Sequence, residues 1–568
     1  MKLLRITPRL LGGILLSMIA SLLNLGLPLL VRQFINLREF AWSGISKKVL
    51  LLGLAILIGN LLISTLSDYL ISSEGDRQVR QTRLRLQKQV LRLPQRYFDQ
   101  QVSGKLTSRL INDVNVLRAF LTETIPATVT GGLTILGTML ITFSLDWKLT
   151  LLMLLVFPID GAVTVPLGRI SEVIADQTQN SLAALTGVTS ESIKQIKTVK
   201  LNNAESDVLA KNTREINKLY SLSLKADRIA AVIGPLQSML SFCLIMAVVL
   251  YGAIRVKTGL LSTGTLGAFM MYFFQIIGPI NNVALFYSDR KQMLGATRKI
   301  SEIIGEAAED QAKGQQVPEQ GSSLLKLDQV SFAYQEQPVL EKVDLAARSG
   351  EKIALVGATG AGKSTLVKVI TRLYPIDAGR ISLNGQASTD FSLHQWRSLF
   401  SVVLQENTIF SGSIRDNLTL GLKRKVTDQE LWDALAMVRL EEYVRSLPKG
   451  LDSQLGENGE WLSGGQRQRL QLARACLSEF KFLILDEATS NLDADTEKII
   501  MTALDQLRRT KNCGQITIAH RLATIVNSDR IYFIKNKTVI ASGSHDELME
   551  QVPDYRRYVH EQQVREKS

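Results

Sequence analysis

Ile353-Ala354-Leu355-Val356-Gly357-Ala358-Thr359-Gly360-Ala361-Gly362-Lys363-Ser364-Thr365 decides how this chain is read. The first four residues read as a buried strand, and Gly357–Thr365 fits G-x-x-x-x-G-K-[ST], the pattern of a phosphate-binding loop. Glycines let the backbone turn tightly and aim its N–H groups at phosphate oxygens. Leu366-Val367-Lys368-Val369-Ile370 continues as a helix, whose positive end adds to the anion site. In this frame Lys363 reaches the β- and γ-phosphates of a nucleotide, and the Ser364 hydroxyl holds Mg²⁺. Thr359, Gly360, Ala361, Gly362 and Thr365 complete the cradle. An accidental Gly-Lys-Ser in a glycine turn would lack the strand before it and the helix after it.

Upstream the chain changes character. Of 568 residues, 46% are hydrophobic, and the long apolar runs crowd into the region before residue 290. Six runs approach the roughly 20 apolar residues that a spanning helix needs: Leu10–Ile35, Val49–Ile71, Thr124–Leu145, Leu149–Leu167, Ala231–Val256 and Thr265–Tyr287. Pro28, Pro158 and Pro279 interrupt them, which spanning helices tolerate. The basic start Met1-Lys2-Leu3-Leu4-Arg5 imitates a signal peptide, but the apolar run behind it is too long, so a retained span is expected. The net charge of +13 is explained by topology, with no nucleic acid as partner. The segments after the second and fourth spans are long and rich in Arg and Lys, which puts them and both termini in the cytoplasm. Cys243, Cys476 and Cys513 lie far apart and form no metal-binding or disulfide pattern.

The basic segments Arg77–Leu93 and Ile170–Ile229 keep helical spacing, so the spans are expected to project beyond the membrane. A turn and short helix between Pro94 and Val114, around Ser103–Leu110, and a second stretch at Asn202–Glu215 would be the tips of two helical hairpins. Asp160, about 12 residues into the fourth span from Lys148 and hence roughly 18 Å along it, is a candidate for recognising a cationic group. Asn60, Gln237, Gln275, Asn281 and Asn282 are candidates for a polar cavity lining or for bonds between helices.

The organisation expected is an all-α transmembrane domain of six helices over residues 1–306, a linker over 307–323, and an α/β nucleotide-binding domain over 324–568. The linker is rich in Gln, Glu, Gly and Ser. Phe482-Leu483-Ile484-Leu485-Asp486-Glu487 is an apolar strand ending in two acids, with Asp486 suited to a metal and Glu487 to an attacking water. Leu462-Ser463-Gly464-Gly465-Gln466 opens a helix and makes a second anion-binding start. One nucleotide has one triphosphate, so this second site is expected to face the nucleotide of another copy of the chain.

These motifs resemble, in order and over nearly the whole chain, an ATP-binding cassette exporter of the half-transporter type, the multidrug and lipid exporters. The resemblance implies that Tyr334 stacks on adenine, Gln405 binds Mg²⁺ or water, and Ser463–Gln466 is the signature. Ser490-Asn491-Leu492-Asp493 is then the D-loop, with Asp493 at the nucleotide, and His520 contacts the γ-phosphate. Asn491 and Asn458 depart from the family pattern without removing a catalytic group. The implied mechanism is head-to-tail closure of two nucleotide domains around ATP and Mg²⁺, turning a cavity from inward- to outward-facing. The implied substrates are amphipathic drugs, lipids or peptides, exported across a bacterial inner membrane by a homodimer. A nucleotide-gated channel and the intact half of a heterodimeric peptide exporter stay open as alternatives. Six spans argue against a soluble chromosome-maintenance ATPase, and their fusion to the nucleotide domain argues against an importer subunit.

Overall fold

A computed structural model describes residues 5–36, 47–101, 103–309, 322–405, 408–487, 494–519 and 521–567. The chain divides into one unit of Met1–Val90 with Gly104–Gly305 and another of Leu91–Ser103 with Glu306–Ser568. Its first helices are α1 (Pro8–Asn36), α2 (Lys47–Val90), the short α3 (Gln95–Asp99), α4 (Ile125–Leu145), α5 (Trp147–Leu154), α6 (Val156–Lys194), α7 (Glu205–Lys257) and α8 (Thr263–Gly305). All but α3 lie in the first unit.

Among the described residues, five helices are long and apolar enough to cross a membrane; the fourth expected span, Leu149–Leu167, lies partly outside the described residues. It is divided at Leu155 between α5 and α6. Pro158 lacks the N–H that would bond the Leu154 carbonyl, so the helix breaks there. With 44 residues α2 is about 66 Å long, and its basic end runs past an apolar layer about 30 Å thick. α1 packs against α2, α4 and α8, while α6 pairs with α7. Polar bonds join the apolar helices: Ser67 donates to the Gly13 carbonyl at 2.8 Å and the Tyr272 hydroxyl to the Leu25 carbonyl at 2.7 Å. The second hairpin tip takes up only the start of the expected Asn202–Glu215 stretch. The chain turns over Asn202–Ala204, with Asn203 at φ 50°, and is already helical at Glu205.

The second unit holds two sheets. Its strands are β1 (Leu324–Tyr334), β2 (Gln337–Arg348), β3 (Lys352–Val356), β4 (Ala378–Leu383), β5 (Gln386–Ala387), β6 (Phe400–Val403), β7 (Phe482–Asp486), β8 (Gly514–Ile518), β9 (Arg530–Lys535) and β10 (Thr538–Gly543). An antiparallel sheet runs β2-β1-β4-β5 and a larger one β10-β9-β3-β8-β7-β6. In the larger sheet β9, β3, β8, β7 and β6 are parallel. Both its faces are buried, as a parallel sheet requires. Alternation along β3 sends Ile353 and Leu355 into one core, with Trp396 and Phe482, and Ala354 and Val356 into another, with Phe533 and Tyr555.

Residues 91–103 belong to this second unit, and two short helices, α3 and Ser103–Ser108, fall inside the expected Pro94–Val114 stretch. The Tyr374 hydroxyl donates to Asp99 on α3, whose other oxygen accepts from Gln95 at 3.0 Å. Glu309 bonds through its N–H to the Arg92 carbonyl at 2.7 Å and takes a two-pronged bond from Arg397 at 2.7 and 2.8 Å.

In the first unit, Asp146 caps α5 by accepting from the N–H groups of Lys148 and Leu149, both at 3.0 Å. It is buried and also pairs with Arg255 of α7 at 3.0 Å. Asp146→Ala would strand the guanidinium and uncap the helix. We expect it to lose about 3 kcal/mol of stability, read as a lower thermal unfolding midpoint of the purified protein, with Asp146→Asn losing less. An unchanged midpoint in Asp146→Ala would show that the pair is dispensable.

Candidate nucleotide site

The phosphate loop leaves the carboxyl end of β3 and closes into α9 (Lys363–Ile370). A Cβ on Gly357 would collide with the Ile534 carbonyl of neighbouring β9, so only glycine allows this approach. Gly362 caps α9 at φ 99°, a left-handed conformation that side chains resist. Ala358, Thr359 and Gly360 stand exposed at the crest, Ala361 is half-buried, and Thr365 lies in the first turn of α9. Lys363 is buried, and its ammonium donates to the carbonyls of Gly357 at 2.8 Å and Ala358 at 3.0 Å. Burial pushes it below the ordinary lysine range, against the opposing pull of Glu487 and Asp486.

Parallel register brings the other groups to the same edge. Asp486 of β7 pairs with Ile518 of β8, which pairs with Leu355 of β3, and Val403 of β6 pairs with Leu485. Ligands bind outside the carboxyl ends of such strands. Asp486 accepts from the Ser364 hydroxyl at 3.4 Å, and burial raises its carboxyl above the usual range while that bond and Lys363 draw it back. Glu487 has φ 50°, a conformation costing an acidic residue about 1 kcal/mol or more. Two amides hold it there. Gln405 donates to its carboxylate at 2.8 Å, and Gln468 donates to its main-chain carbonyl at 3.1 Å. Gln468 lies on α10 (Gly464–Leu477) and is wholly buried. No one-dimensional pattern marks it, because its partner is a main-chain oxygen 19 residues away.

The signature residues build a capping box at the start of α10. Ser463 Oγ accepts from the Gln466 N–H at 3.2 Å, and Gln466 Oε1 accepts from the Ser463 N–H at 2.8 Å. The Ser463 hydroxyl proton stays free to donate, and a Cβ on Gly464 would meet open space; Gly465 follows in the first turn. Among the described residues no hydrogen bond or ion pair joins Ser463–Gln466 to Gly357–Thr365. Tyr334 is half-buried, its ring edge-on to Phe332 at 4.9 Å and Tyr374 at 5.2 Å. Burial, and after it the bond to Asp99, raises the Tyr374 hydroxyl. His520, Asp493 and the rest of Ser490–Asp493 lie outside the described residues, as does the Asp160 side chain.

Comparison with known proteins agrees with this geometry. Residues 10–280 match the family model for the ABC transporter transmembrane region, and residues 340–490 match the ABC transporter model. A multidrug resistance ABC transporter ATP-binding and permease protein of Lactococcus lactis subsp. lactis is 34% identical over 97% of this chain and 92% of its own. An ATP-dependent lipid A-core flippase of Syntrophus aciditrophicus is 30% identical over 88% of this chain and 82% of its own. In fold, a bacterial Atm1-family ABC exporter with ATP bound superposes with a TM-score of 0.81 at 22% identity, over 98% of both chains. The phosphate loop, the acids at the end of β7 and the spanning helices thus sit in one chain, which belongs to the ABC transporter family as an ATP-hydrolysing half-transporter.

Proposed function

We propose that this chain exports amphipathic or hydrophobic substrates across a bacterial inner membrane, as a homodimer with its nucleotide domains in the cytoplasm. Residues 1–306 are the translocating domain and residues 324–568 the motor. The observation that carries this is the gathering of Lys363, Asp486, Glu487 and Gln405 at one sheet edge of a chain that also holds spanning helices. The names of the two relatives, a multidrug resistance protein and a lipid flippase, support a lipid-like or drug-like cargo.

Lys363 meets the β- and γ-phosphates of ATP, and the N–H groups from Gly357 to Thr365 take the remaining oxygens. Tyr334 offers adenine a ring held in place by Phe332 and Tyr374. Among the described residues no three His, Cys, Asp or Glu side chains form a metal cluster, so a cation here needs phosphate oxygens as well, which suits Mg²⁺. Ser364, Gln405 and Asp486 are the protein groups that would hold it, and bound Mg²⁺ would neutralise charge on the phosphates. Gln405 gives its N–H to Glu487 and keeps its carbonyl oxygen for that contact. Glu487 takes the proton of the attacking water, and His520 contacts the γ-phosphate. Ser463, Gly464, Gly465, Gln466 and Asp493 serve the nucleotide bound to the partner copy.

Glu487→Gln keeps the shape and removes the base, so hydrolysis is expected to fall by about 100-fold or more while ATP binding persists. Near-normal turnover in the variant sinks the assignment. Tyr374→Phe deletes the hydroxyl that holds Asp99 of α3. Its expected effect, measured in proteoliposomes, is a transport yield per ATP lower by roughly fivefold, from the loss of one charged hydrogen bond, with hydrolysis close to wild type. An unchanged yield removes this contact from the coupling path.

Sharing of the site between copies is tested with linked dimers carrying Lys363→Ala and Ser463→Ala. With the changes in opposite chains, both defects fall on one site, and about one nucleotide per dimer should be trapped. With both changes in one chain, each site is damaged and little should be trapped. The opposite ranking would mean that the signature acts within its own chain. These estimates follow from site counting and the reciprocity of shared binding.

A further inference from the structure

The geometry points to a second binding site in this chain: the cavity between α1, α2, α4 and α8 takes an N–H-rich cation, a primary ammonium or guanidinium headgroup, with Asp68 as its counter-charge. Its use in transport rests on the export reading above; the count of donors and acceptors in its wall does not.

The cavity measures about 430 Å³, room for a headgroup and the start of a chain. α2 faces it with Asn60, Ser64 and Asp68 at four-residue steps, hence from one side of the helix. α8 faces it with Gln275, Pro279 and Asn282. Part of this lining joins the helices, Asn60 to Asn24 and Ser21 to Thr134, and the rest is open to the cavity.

The wall has spent its hydroxyl protons. Ser17 donates to the Ile14 carbonyl at 2.8 Å, and Ser64 to that of Leu61 at 3.1 Å. Thr130 donates to the Pro126 carbonyl at 2.8 Å, and Thr134 to that of Thr130 at 2.9 Å. Thr134 having given its proton, the 2.7 Å contact between Ser21 and Thr134 must be donated by Ser21. What these groups have left is lone pairs.

Two amides of the lining keep enclosed oxygens as well. Asn60 donates to Asn24 Oδ1 at 2.9 Å, and its own side-chain oxygen is buried without a partner. The side-chain oxygen of Gln275 is buried and unpartnered too. Pro279 has no N–H for the main-chain carbonyl of Gln275, four residues back. Asp68 stands exposed with no ion pair among the described residues, and no Lys or Arg lines the cavity. The donors that remain are neutral amide N–H groups. An anion would find no positive charge here. A quaternary ammonium would meet Asp68 but leave every lone pair unused. A cation bearing several N–H groups satisfies both the charge and the acceptors.

The test uses the full chain in neutral phosphatidylcholine nanodiscs without nucleotide, with dodecylammonium and dodecyltrimethylammonium as probes. These share a chain and a charge and differ in N–H groups. The wild-type protein should bind dodecylammonium tighter by about tenfold or more, as a hydrogen-bonding site rejects an analogue without donors. Asp68→Asn should cost about tenfold in dodecylammonium affinity. Gln275→Met, which keeps length and removes the acceptor, should narrow the gap between the probes and leave dodecyltrimethylammonium binding as it was. Equal affinity for the two probes in wild type, or no saturable binding of either, overturns the assignment, and neither observation needs a variant to fold. Loss of the preference through Asp160→Asn and not through Asp68→Asn overturns the role given to Asp68. Headgroup preference without ATP-driven transport rejects the export reading and keeps the cavity site; transport without preference does the reverse.

Discussion

Parallel pairing of β3, β8, β7 and β6 is the constraint on which the motor depends. Parallel strands all end at one edge, so whatever follows each of them lands on the same side of the sheet. The phosphate loop follows β3, Gln405 comes two residues after β6, and Glu487 directly follows Asp486 at the end of β7. A slip of one residue in the β7 register would turn Asp486 to the other face and pull it from Ser364. The cores on both faces oppose such a slip, because each of these strands buries alternate side chains on opposite sides.

The same edge concentrates charge that the interior makes expensive. Lys363 and Asp486 are both buried, and burial disfavours the charged form of each. A triphosphate with its cation would supply the charges each lacks, so the site is built for a ligand more highly charged than either side chain. Glu487 shows a second cost. Its left-handed backbone persists because Gln405 and Gln468 hold it from two sides. Gln468 sits on the helix that begins with the signature, so movement of that helix would reach the carboxylate through one side chain.

In the first unit the solvent is different and so is the bookkeeping of polar groups. Hydroxyls there bond mostly to main-chain carbonyls of their own or neighbouring helices. Where α1, α2, α4 and α8 meet, that habit uses up protons and leaves oxygens. The chemistry of the cavity is therefore a remainder, set by what the helices have already spent on one another. Residues 91–103 present the reverse case: Asp99 and Arg92 are spent on groups of the second unit, Tyr374 and Glu309.

Local pattern carried much of this protein. The phosphate loop, the strand ending in Asp486, the Ser463 helix start and the apolar spans are each written within about 25 residues, in periodicity and turn chemistry that act at short range. Where the helices end within Pro94–Val114 and Asn202–Glu215 was settled only by packing, because helix ends depend on which turn it selects. Gln468 with Glu487, Tyr374 with Asp99, and Asn60 with Asn24 could not be paired from the chain alone, since they meet only when separate elements pack. Which motifs exist was settled by the sequence, because a glycine turn or an apolar helix needs only its neighbours. Which atoms meet, and which oxygens are left over at their meeting, was decided by tertiary structure, because hydrogen bonds are exclusive and a proton already given cannot be given again.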